Sequence, residues 1–371
     1  MDFVVERSDL LKVLNFVRNA VEKRSTIPIL SHFLLEAEGV ELRITATDLE
    51  ITARTSCDAR VKAKGAAVVP GLRFLEIVRS AGADEIRCRG VESHSLQVTS
   101  GKSSFKLVGL AKADFPKFPT VSGSTTHVEA TTLITCVKKT SFAVSEEESR
   151  YLLNGALLRL NPDRVTMVAT DGHRLALAEH AGQIANLKEE WSVLIPRKAL
   201  LLLARLAEDA ENGAHMEIST DGSHICFILG SRILLSRLLN GQFPNYESVL
   251  PKGSGRALDI KPEEFENAVR RVSLLANEHV PGVRLVLEKN RVEVSASSPE
   301  YGEAREYVEA HYEQEVLNIG FNARYLLEFL GTVDAATSIR MQVKDAESAA
   351  EFRSTGIESA QYRYVLMPLR F

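Results

Sequence analysis

Asp171 and His173, two residues apart in Thr170-Asp171-Gly172-His173-Arg174, are of the types that general acid–base chemistry uses. A hydrolase-like enzyme working with this pair at the cleft between a second and a third domain is therefore one function to weigh. No G-x-S-x-G elbow, H-E-x-x-H pair or Walker loop accompanies the pair. The chain also supplies its own comparison. Ile44-Thr45-Ala46-Thr47-Asp48-Leu49-Glu50 returns as Met167-Val168-Ala169-Thr170-Asp171-Gly172-His173, and again, weakened, as Val292-Glu293-Val294-Ser295-Ala296-Ser297-Ser298. The first copy keeps Thr and Asp but has no His. The shared pair reads as a turn whose side chains bond nearby backbone, and no catalytic residue is expected. The nine histidines are otherwise dispersed without metal-ligand spacing, and the adjacent Glu146, Glu147 and Glu148 cannot all converge on one ion. Neither a metal nor a cofactor is expected.

A pattern recurring about every 125 residues points to tandem architecture rather than to one active site. Residues 115–124 and 243–255 are rich in Pro, Gly and Ser, and each contains Phe-Pro, at Phe115-Pro116 and Phe243-Pro244. Cutting there gives domains at 1–121, 126–249 and 250–371. Each block looks doubled within itself. The first reads as a strand at 3–5, a helix over 8–23 capped by Ser8, and strands at 33–37, 41–46 and 50–54. Leu10, Leu14, Val17 and Val21 share one face of that helix, with Lys12, Asn15, Asn19 and Glu22 opposite. The order then repeats: a strand at 67–69, a helix over 71–81, and strands at 85–88, 95–98 and 104–108. Later helices are expected at 196–208, with Pro196 in the first helical position, and at 322–330. The fold class is α+β, with six short helices against mainly antiparallel strands. Its sheet edges must pair across junctions or close a ring.

With 45% hydrophobic and 25% charged residues and a net charge of −4 over 371 residues, the composition is that of an ordinary globular protein without a global basic field. Cys57, Cys88, Cys136 and Cys226 are far apart, which fits a reducing cytoplasm better than a disulfide framework. No signal-peptide pattern opens the sequence, and no stretch approaches the roughly 18 apolar residues of a membrane span, so a soluble cytoplasmic protein without membrane contact is expected. Cations gather on the helices: Lys12, Arg18, Lys23 and Arg24; Arg73 and Arg79; Lys138 and Lys139; Arg197, Lys198 and Arg205; Arg270 and Arg271; Arg324. Any single pair reads as a solvated face. Six equivalent helices facing one way would instead form a surface for a phosphate backbone, held without regard to base sequence. Residues 364–371 stay apolar past Pro368, which ends ladder pairing; Met367-Pro368-Leu369 is expected to lie outside the sheet as part of an exposed docking patch.

Several motifs carry a family resemblance. They are Glu6-Arg7 with Leu10-Leu11, Pro28-Ile29-Leu30, Thr47-Asp48-Leu49-Glu50, Ala113-Asp114-Phe115-Pro116 and Arg150-Tyr151-Leu152-Leu153-Asn154-Gly155. Ala169-Thr170-Asp171-Gly172-His173-Arg174-Leu175, Pro196-Arg197-Lys198, Phe243-Pro244-Asn245-Tyr246, residues 273–278 and Met367-Pro368-Leu369-Arg370 complete the set. Over essentially its whole length the chain resembles the bacterial DNA polymerase III beta subunits, the replicative sliding clamps. The resemblance implies three tandem DNA-clamp (processivity-fold) domains and a head-to-tail homodimer closed as a ring around duplex DNA. It implies a processivity factor for DNA replication with no catalysis of its own. It also implies docking of the clamp loader, replicative and translesion polymerases, ligase and mismatch-repair factors through short apolar peptides.

Carried over position by position, the resemblance implies a peptide groove of Leu153, Thr170, Gly172, His173, Arg174, Leu175, Pro244, Val249, Val365, Leu366, Met367, Pro368, Leu369, Arg370 and Phe371. It implies DNA contacts at Arg24, Arg73, Tyr151, Arg197 and Lys198. The dimer interface it implies comprises Lys102, Phe105, Leu274, Leu275, Glu300, Glu303 and Glu306, bases of the first domain facing acids of the third. The chain departs from the family pattern at Ser248, where an Arg is frequent, and at Phe371, where Leu is usual. It also has Leu152 where an aromatic can stand, and Ser104 where a second base is common.

Overall fold

The computed structural model describes all residues except 23–25, 120, 124, 188, 208–210, 212, 252–254, 278–280, 335–336, 356–359 and 371. Arg24 and Phe371, assigned above to DNA contact and to the groove, therefore lie outside the described residues, as does Lys23.

The first repeat runs β1 (Asp2–Glu6), α1 (Arg7–Val17), β2 (His32–Glu38), β3 (Glu41–Thr47), β4 (Ile51–Asp58), β5 (Arg60–Ala63), β6 (Gly65–Pro70), α2 (Gly71–Ser80), β7 (Glu85–Gly90), β8 (Leu96–Ser100) and β9 (Ser103–Leu107). The second is β10 (Thr125–Glu129), α3 (Ala130–Thr140), β11 (Gly155–Asn161), β12 (Arg164–Thr170), β13 (Arg174–Ala181), β14 (Trp191–Pro196), α4 (Arg197–Leu206), β15 (His215–Thr220), β16 (His224–Leu229) and β17 (Arg232–Arg237). The third is β18 (Arg256–Ile260), α5 (Pro262–Val272), β19 (Gly282–Glu288), β20 (Arg291–Ser298), β21 (Gly302–His311), β22 (Leu317–Asn322), α6 (Ala323–Leu330), β23 (Ser338–Val343), β24 (Ala350–Thr355) and β25 (Ala360–Leu366). The doubled strand–helix–three-strand order expected from the sequence holds throughout, with the short β5 as an addition to the first repeat.

Within each repeat the leading strand of one half pairs with the other half: β1 with β7 and β6 with β2, β10 with β15 and β14 with β11, β18 with β23 and β22 with β19. The halves are thereby interlocked. By compactness the chain divides differently from its repeats. One unit holds Met1–Thr131 with Lys198–Leu238, the other Thr132–Arg197 with Leu239–Phe371. The first unit contains a five-stranded sheet, β5-β1-β7-β8-β9, and an eight-stranded one, β10-β15-β16-β17-β4-β3-β2-β6. The second contains a twelve-stranded sheet, β14-β11-β12-β13-β25-β24-β23-β18-β21-β20-β19-β22. Each large sheet crosses a repeat junction by antiparallel pairing: β17 on β4 (Ile233 opposite Arg54) and β13 on β25 (Arg174 opposite Leu366).

In the first unit, α1 buries Leu10, Leu14 and Val17, the face its periodicity marked, close to Phe3, Phe33 and Phe74 in burial. The helix begins at Arg7, after Glu6 and not after Ser8, and no side chain caps it. Arg7 instead reaches back, donating from Nε to the Val78 carbonyl at 3.0 Å. The helix ends at Val17 and tightens into a 3-10 turn over Arg18–Ala20, short of the expected end at 23. Pro196 closes β14 rather than opening α4, whereas Asn322 caps α6, accepting from the Arg324 amide at 2.9 Å and the Tyr325 amide at 3.4 Å. In the second unit an aromatic cluster fills the core: Phe329 stacks on Tyr364 with centroids 4.6 Å apart, and Phe352 lies 5.7 Å from Phe329.

Candidate functional site

The turn between β12 and β13 is held by its own side chains. Thr170 Oγ1 donates to the Arg174 carbonyl at 2.6 Å and accepts from the Gly172 amide at 3.1 Å. Asp171 Oδ1 accepts from the amides of His173 (2.9 Å) and Arg174 (3.0 Å), and its Oδ2 accepts from Arg174 Nε at 3.0 Å. Both carboxylate oxygens are thus engaged in the turn and in an ion pair, not with the His173 ring, which removes the acid–base reading. The counterpart at 47–52 is built alike: Asp48 Oδ1 accepts from the Glu50 and Ile51 amides at 3.0 and 2.7 Å, and Thr47 Oγ1 donates to the Ile51 carbonyl at 2.9 Å. In the third copy the Glu300 amide donates to Ser298 Oγ at 3.3 Å. A copy passed over in the sequence lies at Thr220-Asp221-Gly222, where the Ser223 and His224 amides donate to Asp221 Oδ1 at 2.9 and 2.7 Å. A repeated Thr-Asp-Gly was its signal.

Gly172 sits at φ +89°, in the left-handed region, and a Cβ there would lie 2.8 Å from Arg150 Nη1. Arg150 needs that space because Nη1 donates to the Asp171 carbonyl at 2.5 Å. The turn is therefore fixed from outside as well as from within.

Of the residues assigned to the groove, strand pairing joins two groups. Arg174 lies opposite Leu366 and Leu175 opposite Val365, and the Met367 amide donates to the His173 carbonyl at 2.9 Å. Beneath them Val168, Leu175, Leu177, Leu194, Phe243 and Val365 form a buried cluster, against which Leu152, Leu153, Tyr246, Leu250 and Ala349 pack. Pro244 and Val249 are exposed on the loop that carries Phe243. A cleft of about 560 Å³ beside it is lined by Ser248, Val249, Leu250, Gln342, Val343 and Ala349, among others. This apolar floor with exposed polar turns matches the anatomy of a peptide-binding site. The tail departs from expectation: Leu369 returns to the sheet, its amide donating to the Gly320 carbonyl at 2.8 Å. Pro368 and Leu369 are half-buried, Arg370 reaches Glu347 at 3.7 Å, and Met367 is 45% exposed.

Arg174 lies under the turn, only 6% exposed. Its Nη1 donates to Glu328 Oε2 and its Nη2 to the Phe142 carbonyl at 2.6 Å, and its guanidinium carbon stands 4.1 Å from the centre of the Tyr325 ring. Burial works against the charge, but Tyr364, Glu328 and Asp171 outweigh it, so its pKa is raised. The Tyr364 hydroxyl donates to the Tyr325 carbonyl at 3.0 Å. Glu328, Phe142 and Tyr325 were missed in the sequence. Glu328 offered only a helical i,i+4 relation to Arg324, which reads as a surface pair.

The candidate DNA-contacting cations have acidic neighbours. Arg73 on α2 donates to Glu76 at 2.8 Å, Arg197 to Glu146 at 2.6 Å, and Lys198 to Asp48. Tyr151 is 50% exposed. Two of the helix cations are not on solvent faces as expected. Arg18 is half-buried, and its pKa is lowered by burial, with Arg79 and Arg205 adding repulsion. Lys139 is half-buried 5.0 Å from the centre of the Tyr362 ring, its pKa likewise lowered by burial.

Of the residues assigned to a dimer interface, exposed Lys102 precedes β9, and Phe105 lies on that strand, which ends its sheet. Leu274 is 78% exposed, in a 3-10 turn with Leu275 after α5. Glu300 and Glu303 are exposed beside and on β21; Glu306, also on β21, accepts from Arg271 Nε and Nη2 at 2.9 and 2.5 Å, which holds its carboxyl below the usual range.

The sequence matches family models of the DNA polymerase III beta subunit in three consecutive parts: N-terminal domain at 1–119, central domain at 127–245 and C-terminal domain at 247–370. It is 36% identical to the beta sliding clamp of Pseudomonas putida over 372 aligned residues, covering all of both chains, and 33% identical to that of Escherichia coli, again over all of both. Its fold matches a crystal structure of the Pseudomonas aeruginosa sliding clamp bound to griselimycin, with a TM-score of 0.92 at 35% identity and full coverage of both chains. With three family models in tandem on one continuous three-repeat fold, the chain belongs to the family of DNA polymerase III beta subunits, the beta sliding clamps.

Proposed function

We propose that the chain acts as a DNA sliding clamp: two copies close head to tail into a ring around duplex DNA, tether the replicative polymerase and catalyse nothing themselves. The observation that carries this reading is the pattern of sheet junctions. The fourth strand of one repeat pairs with the last strand of the next at β4 with β17 and at β13 with β25. The same rule applied to the third repeat selects β21, which pairs with β18 only at Ala310 and His311, and β9, which ends the five-stranded sheet. Pairing β21 of one copy with β9 of another repeats the junction twice and closes the assembly without a free end, as a heterologous contact can. Lys102 and Phe105 would then meet Leu274, Leu275, Glu300, Glu303 and Glu306 of a second copy. The acidic Glu300 and Glu303 suit Lys102, although such rim pairs contribute only about 0–1 kcal/mol each.

In this reading the repeats bounded at 1–121, 126–249 and 250–371 are the clamp domains. Arg24, Arg73, Tyr151, Arg197 and Lys198 meet the phosphate backbone. The acids paired with Arg73, Arg197 and Lys198 weaken each contact, which favours sliding over fixed binding. The groove around residues 170–175 and 365–371 takes short apolar peptides of the clamp loader, replicative and translesion polymerases, ligase and mismatch-repair factors. Among the described residues no helix is long and apolar enough to cross a membrane, and we place the protein in the cytoplasm with the chromosome. The test compares retention on circular and linearised plasmid after loading by a bacterial clamp loader. Retention on circles with loss from linear ends is expected; equal retention on both would overturn the topological reading.

A further inference from the structure

The two sheet junctions inside the chain are built on one plan but differ in how the turn aspartate is paired: Asp48 takes Lys198 of α4, whereas Asp171 takes Arg174 beside it. Thr47 lies opposite Thr52 and Thr170 opposite Leu175, so Ile51 matches Arg174, and both amides donate to the aspartate of the turn. On the helices, Pro196 pairs with Gly155 as Asn322 pairs with Gly282, so Leu202 of α4 matches Glu328 of α6. Ile51 and Leu202 are buried, at 2% and 1% exposure. The same framework therefore accepts two buried apolar residues at the positions where the second junction carries the ion pair of Arg174 with Glu328. Arg174 is buried and Glu328 partly so, and an ion pair taken out of water brings no general gain in stability over a well-packed apolar one, so its presence there calls for a role other than holding the fold.

We propose that Glu328 is a positioning residue for the peptide groove, acting through Arg174; the inference rests on the groove reading given above. Glu328 Oε2 takes Nη1 of Arg174, which leaves Nε for Asp171 Oδ2 and Nη2 for the Phe142 carbonyl. A planar guanidinium held along three directions has one orientation. Asp171, so fixed, holds the amides of His173 and Arg174, and the His173 carbonyl in turn receives the Met367 amide at the start of the tail. The two walls of the groove, turn and tail, thus take their spacing from a carboxylate on α6. Without it Arg174 keeps its contacts to Asp171 and the Phe142 carbonyl but loses a counter-charge and the third direction that fixes its plane.

The test measures binding of a fluorescein-labelled hexapeptide with Leu and Phe anchors to the full-length protein by anisotropy and stopped flow, beside the thermal unfolding midpoint. Glu328→Gln is expected to weaken binding about fivefold or more, through a faster off-rate, with dimer mass unchanged. The double variant Arg174→Ile with Glu328→Leu copies the first junction. It is expected to keep the parent's unfolding midpoint and to lose about tenfold or more in affinity. Parental affinity in either folded variant would overturn the proposal. So would a double variant whose affinity and unfolding midpoint fall together, because the pair would then serve the fold. A parent protein that fails to bind the peptide would instead defeat the groove reading itself.

Discussion

Asp171 shows how far a residue type carries an argument. Beside His173 it looked like half of a catalytic pair, and the copy at Asp48 was enough to read it as a turn former. The hydrogen bonds of the two turns agree with that reading. Arg174 was legible only as a groove residue, because burial and the partners Glu328, Phe142 and Tyr325 come from elements distant in the chain. Another long-range pair supports a prediction. Arg340 donates from Nε and Nη2 to the two oxygens of Asp259, each at 2.7 Å, and this contact, against the opposing effect of burial, lowers the Asp259 pKa. A lowered carboxylate pKa stabilises the fold above the ordinary value near 4, and the gain is lost as pH falls through the folded value. Asp259→Asn should therefore cost at most about 1 kcal/mol at neutral pH, Arg340 being half exposed, and progressively less in acid. Urea unfolding of both proteins at neutral and acid pH checks this; a difference that does not change with pH would contradict it.

At the scale of elements the sequence was most readable where one face is apolar and a stop is chemical. The helices at 71–81 and 322–330 follow from local spacing, although Asn322, read as the first helical residue, proves to be the cap before α6. The end of α1 did not, because apolar Val21 continues the helical stripe although the backbone has already left it. The strand β5, four residues long and mostly exposed, has too little pattern to be seen. The tail was read as apolar and outside the sheet; that Leu369 returns to Gly320 depends on a partner strand about fifty residues away, which periodicity cannot supply. In the groove proposed above, residues 367–371 form one wall, and deleting them removes no part of β21 or β9. Peptide binding should be abolished while the dimer persists, as read by anisotropy and by mass in solution. Undiminished peptide binding would argue against the tail as a wall.

For the whole molecule, the threefold repeat was legible because similar motifs recur at equal spacing. The division into two compact units was not, because it depends on which strands cross the junctions. The middle repeat gives β10 and β15–β17 to one unit and β11–β14 to the other. Heat should thus unfold the protein in at most two calorimetric transitions, and three resolved transitions, one per repeat, would refute this. The strand junctions also differ in what holds their edges close. Two are tied by the chain itself, which sustains effective concentrations on the order of millimolar whatever the dilution. A junction between β21 and β9 of separate copies would have only the true concentration of the protein to draw on, so by mass action the closed fraction follows abundance and dilution opens that seam first.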